Sequence, residues 1–194
     1  MLVFVDPLAV MLIGLAMGTM IGAFYFFFDA RGDDDQIKAL LIPALFVGSF
    51  DFLSGFYMSF FWPMTAYGIP YNMLFGDPLT LFGILLVAAA FTKMKGFKFG
   101  LLPLMSVVLG IYVLVGAYSI VQLKLETGND LITAMGLYLF DGIGALLAPI
   151  LYLNPKNGNN KYLYYIEWII LGIGTVFALI IGYAALNGHL ASPP

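Results

Sequence analysis

The sequence contains no cysteine, which removes disulfides, iron–sulfur clusters and thiol catalysis at once. Charge is scarce as well: 10% of the 194 residues are Asp, Glu, Lys or Arg, and they sum to a net charge of −3. A soluble domain carries about 25% charged residues to cover its surface. So small a net charge selects neither acidic nor basic partners, and no basic stripe offers a nucleic-acid footprint, so no nucleic-acid partner is expected. Histidine occurs once, as His189 close to the C-terminus, too few for a bis-histidine haem or a His/Cys metal site within one chain. No Ser-His-Asp set, phosphate-binding glycine loop or dinucleotide fingerprint is present. Hydrolytic and redox catalysis have no residues to carry them, so neither enzyme activity nor a cofactor is expected.

What the sequence has instead is apolar residues, 62% of the total, gathered in long blocks. Apolar runs of about eighteen residues or more mark transmembrane helices. The blocks lie at about 7–28, 38–61, 78–93, 100–122, 131–153 and 162–186. At about 1.5 Å of rise per residue each reaches across a bilayer, the third being short. Between them, "DARGDDDQIK" is a charged turn and "KMKGFKFG" is basic, while "KLETGND" and "NPKNGNNK" hold the usual loop residues. The expected fold is all-α: an integral membrane bundle of six transmembrane helices, one domain over residues 1–194, in contact with membrane lipid. The opening "MLVFVDPLAVMLIG" has no basic start and no small-residue cleavage site, so it reads as the first span and not as a removable signal.

Lys and Arg set the orientation. Of the 8 present, Arg31, Lys38, Lys93, Lys95, Lys98, Lys156 and Lys161 fall around loops 1–2, 3–4 and 5–6, and Lys124 falls on the other side. This asymmetry places both termini outside and those loops in the cytoplasm, in a multi-pass protein of the plasma membrane. Trp62 and Tyr67 suit an outer interfacial belt; Tyr162, Tyr164, Tyr165 and Trp168 suit an inner one. Asp6-Pro7-Leu8, Asp77-Pro78-Leu79 and Asn129-Asp130-Leu131 read as helix starts, since Asp caps free N–H groups and Pro fits the first helical position. The two DPL copies also fit a parallel repeat of spans 1–2 in spans 3–4, although capping chemistry alone produces the same match. The triplet Asp33, Asp34 and Asp35 reads as a solvated turn, with a divalent-ion site as the alternative. Loop 2–3, "FWPMTAYGIPYNMLFGD", is too apolar for an ordinary exposed loop. It is expected to lie in the interface or to dip in as an outer lid offering Tyr71 and Asn72.

Two carboxylates lie inside the spans. Asp51, in "FVGSFDFLSGFYM", is about 20 Å from the cytoplasmic start of its span and about 15 Å from the outer end. Asp141, in "GLYLFDGIGALLAP", is about 16 Å from either end. A charge at that depth costs about 2.5–3.5 kcal/mol on insertion scales, so these residues should face the bundle interior. Their helical neighbours are mostly small: Ala44, Gly48, Ser54, Gly55 and Met58 around Asp51, and Ala134, Tyr138, Gly144, Ala145 and Ala148 around Asp141. Span 1 adds Gly14, Gly18 and Gly22 at every fourth position, a helix-packing stripe. No Lys, Arg or His lies at this depth to pair with the acids. Three readings follow. The aspartates are protonated and hydrogen-bond helices together through Ser49, Ser54, Tyr138 or a carbonyl; they exchange a proton; or they bind a cation. Glu167, about five residues into span 6, is expected to reach the inner interface near Lys161.

The segments "VDPLAVMLIGL", "GSFDFLSGFYMSFFWPM" and "YNMLFGDPLTLFG" resemble those of small, mostly archaeal polytopic membrane proteins grouped as domain of unknown function 981. The resemblance covers nearly the whole chain. It implies an archaeal plasma membrane and supplies no activity. A weaker likeness is to the acetate/succinate–proton transporter family, which is also built of six helices. That family carries Asn-Pro before Leu-Gly, and later Gly-Gly-x-x-Gln-x-x-x-Gly. Here the first motif reads Asp6-Pro7-Leu8 and the second runs from Gly48-Ser49 to Gly55, with Asp51 near the glutamine position. The asparagine and the glutamine are both missing, and that family has cytoplasmic termini.

The function expected is transport or conduction of a small cation or proton. Asp51 and Asp141 would form the midplane site, with Ser49, Ser54 and Tyr138 in support. The alternative is a non-catalytic scaffold or accessory subunit of a larger membrane complex, whose aspartates join helices. Partners are then a second copy or another membrane subunit.

Overall fold

The computed structural model describes residues 7–64, 68–153 and 161–191. Asp6, Tyr67 and Lys156 lie outside the described residues. The chain forms α1 (Leu8–Arg31), α2 (Asp34–Phe61), α3 (Ile69–Met94), α4 (Leu102–Gln122), α5 (Gly128–Leu153) and α6 (Lys161–Ala191). All six are long and apolar enough to cross a membrane, and no strand occurs among the described residues. The outward faces are apolar to match: on α2, Phe46 is 75% and Leu53 63% exposed, a surface that water would disfavour and lipid accepts. The protein is a multi-pass membrane bundle.

Each helix packs on its neighbours in sequence, and α6 returns to α1, so the bundle closes as a ring. Turn chemistry sets the first reversal. Gly32 adopts the left-handed conformation (φ 70°) after α1, with Gly32 N–H on Asp29 O and Asp33 N–H on Phe28 O. Asp33 then caps α2, its Oδ1 accepting from Gln36 N–H at 3.2 Å. Asp34 and Asp35 occupy the first turn of α2, and Asp35 pairs with Lys38 at 3.1 Å. The triplet is thus accounted for by a cap, the helix dipole and an ion pair. No group of His, Cys, Asp and Glu able to hold a metal occurs among the described residues.

The helices follow the apolar blocks except at the third. α3 begins at Ile69, well before residue 78, so most of the expected loop 2–3 is helix. Asp77-Pro78 consequently lies inside α3 and starts nothing, and the repeat loses one of its two copies as a cap. Asp77 instead accepts a hydrogen bond from Tyr112 of α4 at 2.6 Å. Tyr71 and Asn72 sit in the first turns of α3. Asn72, fully buried, donates to Met64 O (2.7 Å) and accepts from Met64 N–H (3.0 Å). Tyr71 donates to Leu125 O at 3.0 Å. Both polar groups brace the α2–α3 and α4–α5 connections.

Prolines within helices open further links. Pro78 has no N–H to offer Leu74 O four residues back, and Tyr138 of α5 donates its hydroxyl to that carbonyl. Pro149 in α5 leaves Ala145 O in the same state, and Ser106 Oγ of α4 lies 2.8 Å from it. Glycines set the closest approaches. A Cβ on Gly83 of α3 would stand 2.6 Å from Gly48 O of α2, and one on Gly55 of α2 would stand 2.8 Å from Gly76 O of α3. Gly110 and Gly142 play the same part between α4 and α5, where a Cβ on Gly110 would meet Gly142 O at 2.9 Å.

Candidate functional site

The two midplane aspartates face different surroundings. Asp51 is wholly buried on α2, and neither carboxyl oxygen has a hydrogen-bond partner among the described residues. It projects toward α1, where a Cβ on Gly14 would lie 2.5 Å from Oδ1 and one on Gly18 would lie 3.0 Å from Oδ2. The stripe expected to bring helix backbones together therefore accommodates a carboxyl at two of its three positions. The third, Gly22, has ordinary contact with Leu171 of α6, at 3.5 Å from an ideal Cβ. Ser49 is exposed, and Ser54 Oγ lies 3.4 Å from the main-chain oxygen of Asp51 and not on its side chain. Neither serine supports the carboxyl as expected.

Asp141 lines an interior cavity of about 220 Å³ bounded by α1, α3, α4, α5 and α6. Asp51 is not part of that lining, and α2 contributes nothing to it. Phe82 stands between them: it lines the cavity and also packs against Gly18 beside the Asp51 carboxyl. The carboxyl of Asp141 presses on Gly174 of α6, where no Cβ would fit. Its Oδ1 is buried without a partner among the described residues. Tyr138 lines the same cavity, but its hydroxyl is committed to Leu74 O and not to Asp141.

The second acid of the cavity is Glu167, and the interfacial placement is corrected here. Glu167 is 1% exposed, lines the cavity, and has neither oxygen bonded among the described residues. A Cβ on Gly144, one turn along α5 from Asp141, would lie 3.3 Å from Glu167 Oε1. Asp141 and Glu167 thus line one cavity from the adjacent helices α5 and α6. The cause is rotation of α6. Glu167 shares a face with Leu171, Gly174, Thr175 and Ala178, and that face turns inward, while Ile166 and Ile169 turn outward. Around Glu167 the cue that placed Asp51 and Asp141 is weak: its nearest helical neighbours are Leu163, Tyr164, Ile170 and Leu171, and small residues return only at Gly174, Thr175 and Ala178. Tyr164 turns inward with it: it is buried and donates to Leu151 O at 3.1 Å, so it is not a belt residue, whereas Tyr162 is exposed.

The remaining polar groups of the cavity are occupied. Thr19 of α1 and Thr175 of α6 share a hydrogen bond of 2.8 Å, and each also reaches a carbonyl of its own helix. Ser106 lies within bonding distance of Pro103 O and Ala145 O. No Lys, Arg or His among the described residues contributes to the lining. A second chamber of about 170 Å³ shares Gly22, Phe26, Leu85 and Ser106 with the first and extends to Lys93, Phe99 and Tyr152 at the α3–α4 end. Lys93 Nζ sits 4.8 Å from the Phe99 ring centre there.

The architecture defines a class: a six-helix membrane bundle with an apolar cavity lined by two carboxyls. The chain belongs to the family described as "Protein of unknown function (DUF981)", whose model matches residues 1–192. Comparison with curated proteins and with solved structures gave no match.

Proposed function

We propose that this protein is a non-enzymatic carrier that moves a proton or small cation across the plasma membrane through the Asp141–Glu167 pair. The observation that carries this reading is the pair's setting. Asp141 Oδ1 and both Glu167 oxygens are buried with no partner among the described residues, in a cavity that no basic side chain lines. A buried carboxyl is tolerated when it is protonated or when a counter-charge meets it, and intramembrane acids that face a cavity mark ion or proton pathways, which distinguishes this pair from Asp51. Helix glue would instead engage each carboxyl with a hydroxyl or carbonyl. The cavity hydroxyls are committed elsewhere. The second chamber, reaching toward the α3–α4 end, is a route to the cytoplasmic side in the orientation that the lysines favour.

Proton flux into liposomes under an imposed pH gradient tests this. Asp141→Asn and Glu167→Gln should each lower the flux at least tenfold, and Asp51→Asn, outside the cavity, should keep more than half of it. Equal flux in the parent and both cavity variants, each shown folded by its melting curve, would return the acids to a structural role. The protein would then be read as an accessory subunit of a membrane complex.

A further inference from the structure

We infer that the cavity between α1, α3, α4, α5 and α6 binds an organic ammonium ion with a compact hydrocarbon body, its charge on Asp141 and Glu167. The inference rests on that pair being the translocation site, and it names the ligand that exchanges there. Three observations lead to it. First, the exposed wall of the cavity is almost wholly apolar, with Leu15, Phe26, Phe75, Leu79, Phe82 and Leu109 among the residues that line it. Such a surface takes hydrocarbon.

Second, the oxygen supply is poor for a divalent metal ion. Mg²⁺ and Ca²⁺ take about six to eight oxygen ligands, often including water. Here the cavity lining offers only three hydroxyls, on Thr19, Ser106 and Tyr138, each turned to a carbonyl or to a second hydroxyl, and no group of three or more His, Cys, Asp or Glu able to hold a metal occurs among the described residues. Two carboxyls cannot replace the hydration shell of such an ion. They can serve an ammonium group, which carries three donors and has its other substituent in the hydrocarbon region. Glu167, 1% exposed and unbonded among the described residues, is directed into the cavity for that purpose.

Third, the size fits. An apolar cavity of about 150 Å³ holds benzene. This cavity, at about 220 Å³, has room for one aromatic ring and a short aminoalkyl arm.

The test is equilibrium binding of radiolabelled 2-phenylethylammonium to the purified full chain in detergent, with protein-free micelles as the baseline. Saturable binding near one per chain is expected. The neutral isostere 2-phenylethanol should bind at least tenfold more weakly, a comparison that needs no variant. Asp141→Asn and Glu167→Gln should each weaken amine binding at least tenfold, and Asp51→Asn should change it less than twofold. No saturable binding, or equal binding of the alcohol and the amine, would overturn the inference. Proton flux measured on the same preparations separates the two proposals. Flux without amine binding removes the ammonium ligand and keeps the carrier; amine binding without flux keeps the site and removes proton transport.

Discussion

Asp51 and Glu167 exchange the roles that their sequence positions favour. Asp51 lies at mid-span and fills the space left by Gly14 and Gly18; Glu167 lies near a helix start and reaches into the cavity. Because the Asp51 carboxyl occupies the place of a Gly14 side chain, Gly14→Ala should destabilise the bundle by about 1–3 kcal/mol, the usual cost of overpacking. The atoms in its way are Asp51 Oδ1 at 2.5 Å and the Phe50 ring at 2.6 Å. Phe50 is 40% exposed and free to swing, so Asp51→Ala in the Gly14→Ala background should recover part of the loss. Denaturant titration of the four proteins in mixed micelles measures this coupling; strict additivity would mean that the carboxyl does not fill that space. Tyr138 permits a second cycle. Tyr138→Phe leaves Leu74 O without its donor and should cost about 1–2 kcal/mol. Restoring a backbone donor with Pro78→Ala should erase most of that cost, whereas an undiminished cost would show that the tyrosine hydroxyl matters elsewhere.

Among the helices, the α2–α3 pair depends most on absent side chains. Gly55, Gly76 and Gly83 meet the facing helix at distances that no Cβ tolerates, Gly48 is tight at 3.0–3.1 Å, and the atoms obstructing Gly55 and Gly83 are largely backbone. Backbone cannot step aside as a side-chain tip does, so Gly83→Ala should lower stability by roughly 1–3 kcal/mol or more and should part the two helices. Gly172 of α6 is the control, since a Cβ there meets nothing within 4 Å. Gly172→Ala should raise stability by up to about 1 kcal/mol through helix propensity alone. Thermal melts of the two variants beside the parent give the comparison. Equal shifts of the same sign would mean that propensity, and not contact, governs both positions.

For the bundle as a whole, the ring of helices puts Arg31, Lys38, Lys93, Lys95 and Lys98 at one end and Lys124 at the other, by alternation of the spans. If the positive end faces the cytoplasm, as the lysines predict, the start of α1 and the end of α6 face outside. A chain without cysteine is ready for a labelling test. In intact cells Lys124→Cys should react with a membrane-impermeant maleimide, and Lys98→Cys should react only after the membrane is opened. Both positions are exposed loop residues, so a reversed pattern would invert the topology and with it the direction assigned to the second chamber.

The number of spans, their approximate limits and the all-helical class were legible in the residue order, because a bilayer demands long apolar runs and the chain supplies them in six blocks. Membership of the family was legible as well, in segments such as "GSFDFLSGFYMSFFWPM". The early start of α3 was not: Pro70 and Gly68 argue locally for a loop, yet Asn72 and Tyr71 find main-chain partners on other segments that hold the first turns helical. The composition of the site was half legible. Depth and small neighbours mark an acid as interior, and that much is periodic along one helix. Which acids share a cavity depends on how α5 and α6 are rotated against each other and on which side of α1 the α2 carboxyl arrives. Those are relations between helices, set by close packing at Gly144, Gly174, Gly14 and Gly18, and no single stretch of chain carries them.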